Sequence, residues 1–78
     1  MKIEIFSTPN CRYCNDAKAF FRSNELAFEE YDVSASPERK AEMTTATGKL
    51  GVPQIRIDGN WYVGYNEKRL REILDLST

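Results

Sequence analysis

The hydrophobic period of this chain changes twice between residues 2 and 33, and turn-forming residues mark the first change. Lys2 to Ser7 alternates, with Ile3 and Ile5 on one side and Lys2, Glu4 and Phe6 on the other, which is a strand pattern. Thr8-Pro9-Asn10 breaks that pattern with two turn formers. From Arg12 to about Asn24 the spacing becomes helical: Ala17, Phe20 and Phe21 share one face, and Lys18 and Arg22 point away. Phe28 to Val33 returns to aromatic and β-branched residues, a second strand. Strand, helix and strand in this order form a βαβ unit, with a right-handed crossover and parallel strands.

Ser36-Pro37-Glu38 carries the signs of a helix start: a capping hydroxyl, a proline at the first helical position and an acid in the first turn. That helix is expected to run to about Ala46 and to stop at Thr47-Gly48. Gln54 to Asp58 alternates as a third strand, Asp58-Gly59 signals a hairpin turn, and Trp61-Tyr62-Val63 returns as a fourth strand. Gly64 ends it, and Asn66 caps a last helix with Leu70, Ile73 and Leu74 on its buried face. The predicted class is α/β in the order βαβ-α-ββ-α, with a four-stranded mixed sheet and helices on both faces. No repeat or linker interrupts residues 1–78, which read as one domain. Phe20 and Phe21 are expected in the core, and Trp61 and Tyr62 in the hairpin. Glu38, Arg39, Lys40 and Glu42, and the cluster Lys68, Arg69 and Arg71, read as solvated faces.

Composition removes several functions. Eleven basic side chains against 12 acidic ones give a net charge of −1, so no cationic surface is available for a phosphate backbone and nucleic acid is not an expected partner. There is no histidine, which excludes His-based catalysis within one chain. No apolar run approaches the ~20 residues needed to span a bilayer. The first residues, Met1 to Phe6, carry charges inside their apolar stretch and do not read as a signal peptide, so a reducing cytoplasmic compartment is expected.

The two cysteines of the chain, Cys11 and Cys14, flank Arg12-Tyr13 at the start of the first helix. A disulfide across so short a loop removes little unfolded-chain entropy, so its value is chemical rather than structural. Unpaired N–H groups and the dipole at a helix start favour an anion, hence a thiolate at Cys11, and the thiolate is the attacking species in disulfide exchange. Arg12 adds a positive charge next to it. Cys14, one turn further in, is expected to be more buried and suits a resolving role. Two other readings of the pair exist: half of a zinc site, and two small buried hydrophobes. A closed zinc site needs about four ligands, and this chain offers two thiols and no histidine. Val52-Pro53 precedes the third strand. It reads either as a trans strand entry or as a cis bond whose neighbouring backbone faces the thiols, a form taken by only ~5% of such bonds.

Phe6-Ser7-Thr8-Pro9-Asn10-Cys11-Arg12-Tyr13-Cys14, Gly51-Val52-Pro53-Gln54-Ile55, Ile57-Asp58-Gly59 and Gly64 before the last helix together resemble the glutaredoxins of the thioredoxin-like superfamily, over essentially the whole chain. The resemblance implies a thioredoxin-like fold and a monomeric thiol–disulfide oxidoreductase that reduces protein disulfides and glutathione mixed disulfides. Cys11 would be the nucleophile and Cys14 the resolving thiol, supported by Arg12, Tyr13 and a cis Pro53. It implies glutathione as co-substrate, in a groove lined by Tyr13, Val52, Pro53, Gly64, Tyr65 and Glu67, with no tightly bound cofactor and no metal. The chain departs from the family pattern at Arg12 (usually Pro), Thr8 (often Lys or Arg), Gly51 (commonly Thr), Tyr65 (Gly) and Glu67 (Asp). Lys49 is a candidate to supply the missing cation. The aromatic after Gly64 is similar to small glutaredoxin-like proteins that feed electrons to ribonucleotide reductase and are reduced by thioredoxin reductase, which is the second expectation. A third is a dimer holding an iron–sulfur cluster through Cys11 of each chain; Cys14 speaks against it and Arg12 for it.

Overall fold

The computed structural model describes residues 1–76. The chain runs β1 (Ile3–Ser7), α1 (Arg12–Ser23), β2 (Glu29–Asp32), α2 (Pro37–Thr47), β3 (Gln54–Ile57), β4 (Asn60–Val63) and α3 (Glu67–Ile73). The strand order is β2-β1-β3-β4. β1 lies parallel to β2, and β3 is antiparallel to both β1 and β4. This is the expected mixed four-stranded sheet with helices on both faces.

The two faces are built from different chemistry. On one, Ile3, Ile5, Ile55 and Ile57 meet Ala17, Phe20 and Phe21 of α1, Leu70 of α3 and Leu74 at its C-cap. Ile73, expected on the buried face of α3, is only partly buried. The helix signals act as read: Ser36 caps α2 by accepting from the Arg39 N–H, Asn66 caps α3 by accepting from the Arg69 N–H, and Gly48 ends α2 at φ 71°.

The other face, where the alternation places Lys2, Glu4 and Phe6, lies under α2. Every residue from Ile3 to Ser7 is buried, Glu4 included, because α2 covers that side with Met43 against Phe6 and Val33. Glu4 sits there as a carboxylate because Arg56 meets it with two hydrogen bonds, Nε to Oε1 at 2.7 Å and Nη2 to Oε2 at 2.6 Å. The remaining arm of Arg56 reaches Glu42 of α2 at 2.8 Å. Arg56 foremost, and then the Tyr31 hydroxyl, hold the Glu4 carboxyl down at about 2 against the cost of burial. Arg39 and Glu42 are therefore not simply solvated: they pair at 2.9 Å, and Arg39 also stacks 3.9 Å above the Tyr31 ring. Lys18 also departs from its expected outward position and pairs with Glu30 at 2.6 Å. In the basic cluster of α3, Arg69 lies over Tyr62, while Arg71 pairs with Glu67 and lies over Phe20.

Candidate active site

The turn after β1 delivers Cys11 to the N-cap of α1, with extended backbone at φ −99° and ψ 114°. Its Sγ takes the place of a capping oxygen and accepts the Cys14 N–H at 3.1 Å. A thiol that caps a helix faces the N–H groups that its first turn leaves without a backbone partner. Cys11 is half-buried and Cys14 fully buried, and both thiols are free. Burial first, and then the hydrogen bond with Cys11, push the Cys14 thiol up to about 12. At neutral pH Cys14 is thus a protonated thiol, and the two sulfurs are chemically unlike although one helical turn separates them.

The bond Val52-Pro53 is cis. The Val52 carbonyl faces Cys11, with the Sγ donating to it at 3.8 Å. The Pro53 carbonyl accepts the Gly64 N–H at 2.8 Å, which ties the entry of β3 to the exit of β4. Gly64 has φ 87°, a left-handed conformation suited to glycine. Cys11, Cys14, Val52, Pro53 and Gly64 thus form one connected group. Tyr13 projects beside it at 62% exposure, and Arg12 is exposed at the helix start.

Tyr65 and Glu67 turn elsewhere. The Tyr65 ring packs 6.2 Å from that of Phe20 on α1, and its hydroxyl lies 3.5 Å from Glu67. Glu67 pairs with Arg71 at 3.0 Å. Both line an open groove of about 480 Å³ between α1 and α3, together with Asp16 and Phe20. A smaller groove of about 220 Å³ is lined by Val52 together with Thr8, Val33, Lys40 and Leu50.

Leu50, which stands 70% exposed at this groove, was not singled out by sequence. Nor was Gln54, a fully buried amide bonded to the loop ahead of Val52. The one signal available for Gln54 was its place directly after Val52-Pro53. Among the described residues no group of three or more acidic or thiol side chains gathers at metal-holding distance.

The family model of glutaredoxin matches residues 3–62. A glutaredoxin-like 8.6 kDa protein in the rubredoxin operon of Clostridium pasteurianum is 33% identical, the match covering 94% of this chain and 97% of that protein. Glutaredoxin 3 of Escherichia coli K12 is 32% identical over 83% of this chain and 78% of its own. The crystal structure of a thioredoxin-like protein superimposes with a TM-score of 0.90 at 28% identity, covering 97% of each chain. A redox-type CxxC at a helix start, a cis-proline opposite it and these matches lead to one conclusion: the chain belongs to the glutaredoxin family and is a thiol–disulfide oxidoreductase.

Proposed function

We propose that this protein reduces protein disulfides by a two-thiol mechanism in which Cys11 attacks and Cys14 resolves. The observation that carries the reading is the asymmetry of the pair: Cys11 caps the helix beside the Val52 carbonyl, while Cys14 is buried with its thiol pushed up to about 12. The Cys11 thiolate attacks one sulfur of the substrate disulfide, forming a mixed disulfide and expelling the first substrate thiolate. Cys14 then gives up its proton, which leaves on a substrate thiol, and attacks the Cys11 sulfur. The second substrate thiol departs, and the protein is left with a Cys11–Cys14 disulfide, having delivered two electrons. The backbone of Val52, next to the attacking sulfur, is the docking edge for the extended chain that carries the target cysteine.

The reductant we assign is a protein of the thioredoxin reductase class rather than glutathione, and electrons then pass on to a disulfide-bearing enzyme such as ribonucleotide reductase. What supports this is how the glutathione-binding positions are used. Tyr65 is packed on Phe20, Glu67 is paired with Arg71, and Asn66 itself takes the Arg69 N–H. Thr8 offers no cation and Gly51 no side chain. The test is insulin reduction with NADPH and either thioredoxin reductase or glutathione plus glutathione reductase. Turnover with thioredoxin reductase at least about tenfold faster is expected, a difference of about 1.4 kcal/mol in the barrier. Equal or faster turnover with glutathione would show that Tyr13, Val52, Tyr65 and Glu67 form a working glutathione groove.

A further inference from the structure

We propose that Gln54 is a positioning residue for substrate docking: its buried amide holds the loop ahead of Pro53 so that the Val52 backbone is presented beside Cys11. The inference rests on the reading of Val52 as the docking edge. Gln54 is fixed by the sheet, its backbone paired with Phe6 on one side and Val63 on the other. Its side chain is fully buried and fully used. Nε2 donates to the Lys49 carbonyl and to the Gly51 carbonyl, each at 3.0 Å. Oε1 accepts from the Thr47 hydroxyl at 2.8 Å, and that hydroxyl in turn accepts the Lys49 N–H at 3.1 Å.

The loop has little else to hold it. Gly48, Lys49, Leu50 and Gly51 are all exposed, and a Cβ on Gly51 would meet nothing within 4 Å. Two carbonyls two residues apart, bound to one NH₂ group, set the curl of the chain. The next residue after Gly51 is Val52, whose carbonyl then meets the Cys11 sulfur. The amide orientation follows from the network, since both donors face carbonyls and the oxygen faces a hydroxyl. Removing the donors leaves two loop carbonyls without a partner from the sheet and frees the docking edge, while the cap that holds Cys11, built on α1, is untouched.

The test uses pre-reduced full-length protein and a cysteine peptide carrying a thionitrobenzoate leaving group, whose release reads the attack by Cys11 over a range of peptide concentrations. Iodoacetamide alkylation of Cys11, which needs no docking edge, is measured alongside. For Gln54→Met we expect the half-saturating peptide concentration to rise about tenfold, with the limiting rate and the alkylation rate within about twofold of the parent. Thr47→Val should shift the same quantity in the same direction by less, and Thr47→Ser, which keeps the hydroxyl, should restore it. Thr47→Val carries the test if Gln54→Met does not fold. An unchanged half-saturating concentration overturns the proposal, as does a fall in alkylation parallel to the fall in exchange. Cys11→Ser separates the two levels. Rapid release by that variant sinks the assignment of the nucleophile, whereas a silent Cys11→Ser beside an unaffected Gln54→Met sinks the positioning role alone.

Discussion

Single residues set the asymmetry of the two thiols. Cys11 owes its place to the turn Thr8-Pro9-Asn10, which ends β1 and leaves the next residue to cap α1. Cys14 owes its raised thiol first to its full burial one turn further along α1. At Gly51 and Tyr65 the chain has lost two features that the family resemblance associates with glutathione, and both losses can be reversed on this scaffold. The space around Gly51 is open and its φ lies outside the left-handed region, so Gly51→Thr introduces a hydroxyl without strain. Each regained hydrogen bond is worth about 1 kcal/mol, or about fivefold. Gly51→Thr combined with Tyr65→Gly should therefore raise glutathione-dependent turnover more than about fivefold, measured as NADPH consumption with glutathione reductase. No gain in the double variant would show that these two positions do not restrict glutathione. Gly64 is the opposite case: at φ 87°, Gly64→Ala forces a side chain into a left-handed conformation and should cost about 1–2 kcal/mol of stability in urea unfolding.

At the scale of elements, α2 is the unusual member. Met43 is its one buried residue, and its hold on the sheet comes from Glu42 on Arg56 and Arg39 on Tyr31 as much as from apolar contact. The strand residue at the centre is Glu4, almost fully buried and satisfied by Arg56. Arg56→Met strands that carboxylate and should cost about 3 kcal/mol, a fall in Tm of more than about 10 °C for a domain of this size. Glu42→Gln removes a half-exposed partner and should cost less than about 1 kcal/mol. Equal losses for the two would contradict a central role for Glu4. The same group gives a pH signature. Its folded carboxyl lies at about 2, below the ordinary 4.5, so its contribution is complete above pH 4.5 and drains away as pH falls towards 2. The acid limb of the stability curve should flatten in Glu4→Gln; an unchanged limb would place the acid sensitivity elsewhere.

For the whole molecule, the order of elements was legible because each carries its own local signal: alternation in β1 and β3, the Asp58-Gly59 turn ahead of β4, helical spacing in α1, and caps at Ser36 and Asn66. The thiol pair was legible for the same reason, since strand, turn and helix around Cys11 are contiguous in sequence. Helices on both faces were expected; what period alone could not tell was the polar chemistry beneath α2. Alternation puts Glu4, Gln54 and Arg56 on the face opposite the isoleucines, but neither it nor the α2 sequence, with its single buried Met43, says that they bury as a bonded polar set. The buried polar network and the Gln54 clamp both lie on that face. The cis form of Pro53 came from family resemblance, because residues near Val52-Pro53 carry no local mark of it.

The central claim, that Cys11 attacks and Cys14 resolves, is tested most directly by trapping the intermediate. Pre-reduced Cys14→Ser and Cys11→Ser proteins are each mixed with a disulfide-bonded peptide, and intact and digested masses are read. Cys14→Ser should accumulate one peptide adduct, located on Cys11, while the parent protein passes to its internal disulfide and Cys11→Ser stays unmodified on the same timescale. Rapid adduct formation on Cys14 in Cys11→Ser, or no adduct in Cys14→Ser, would contradict the assignment.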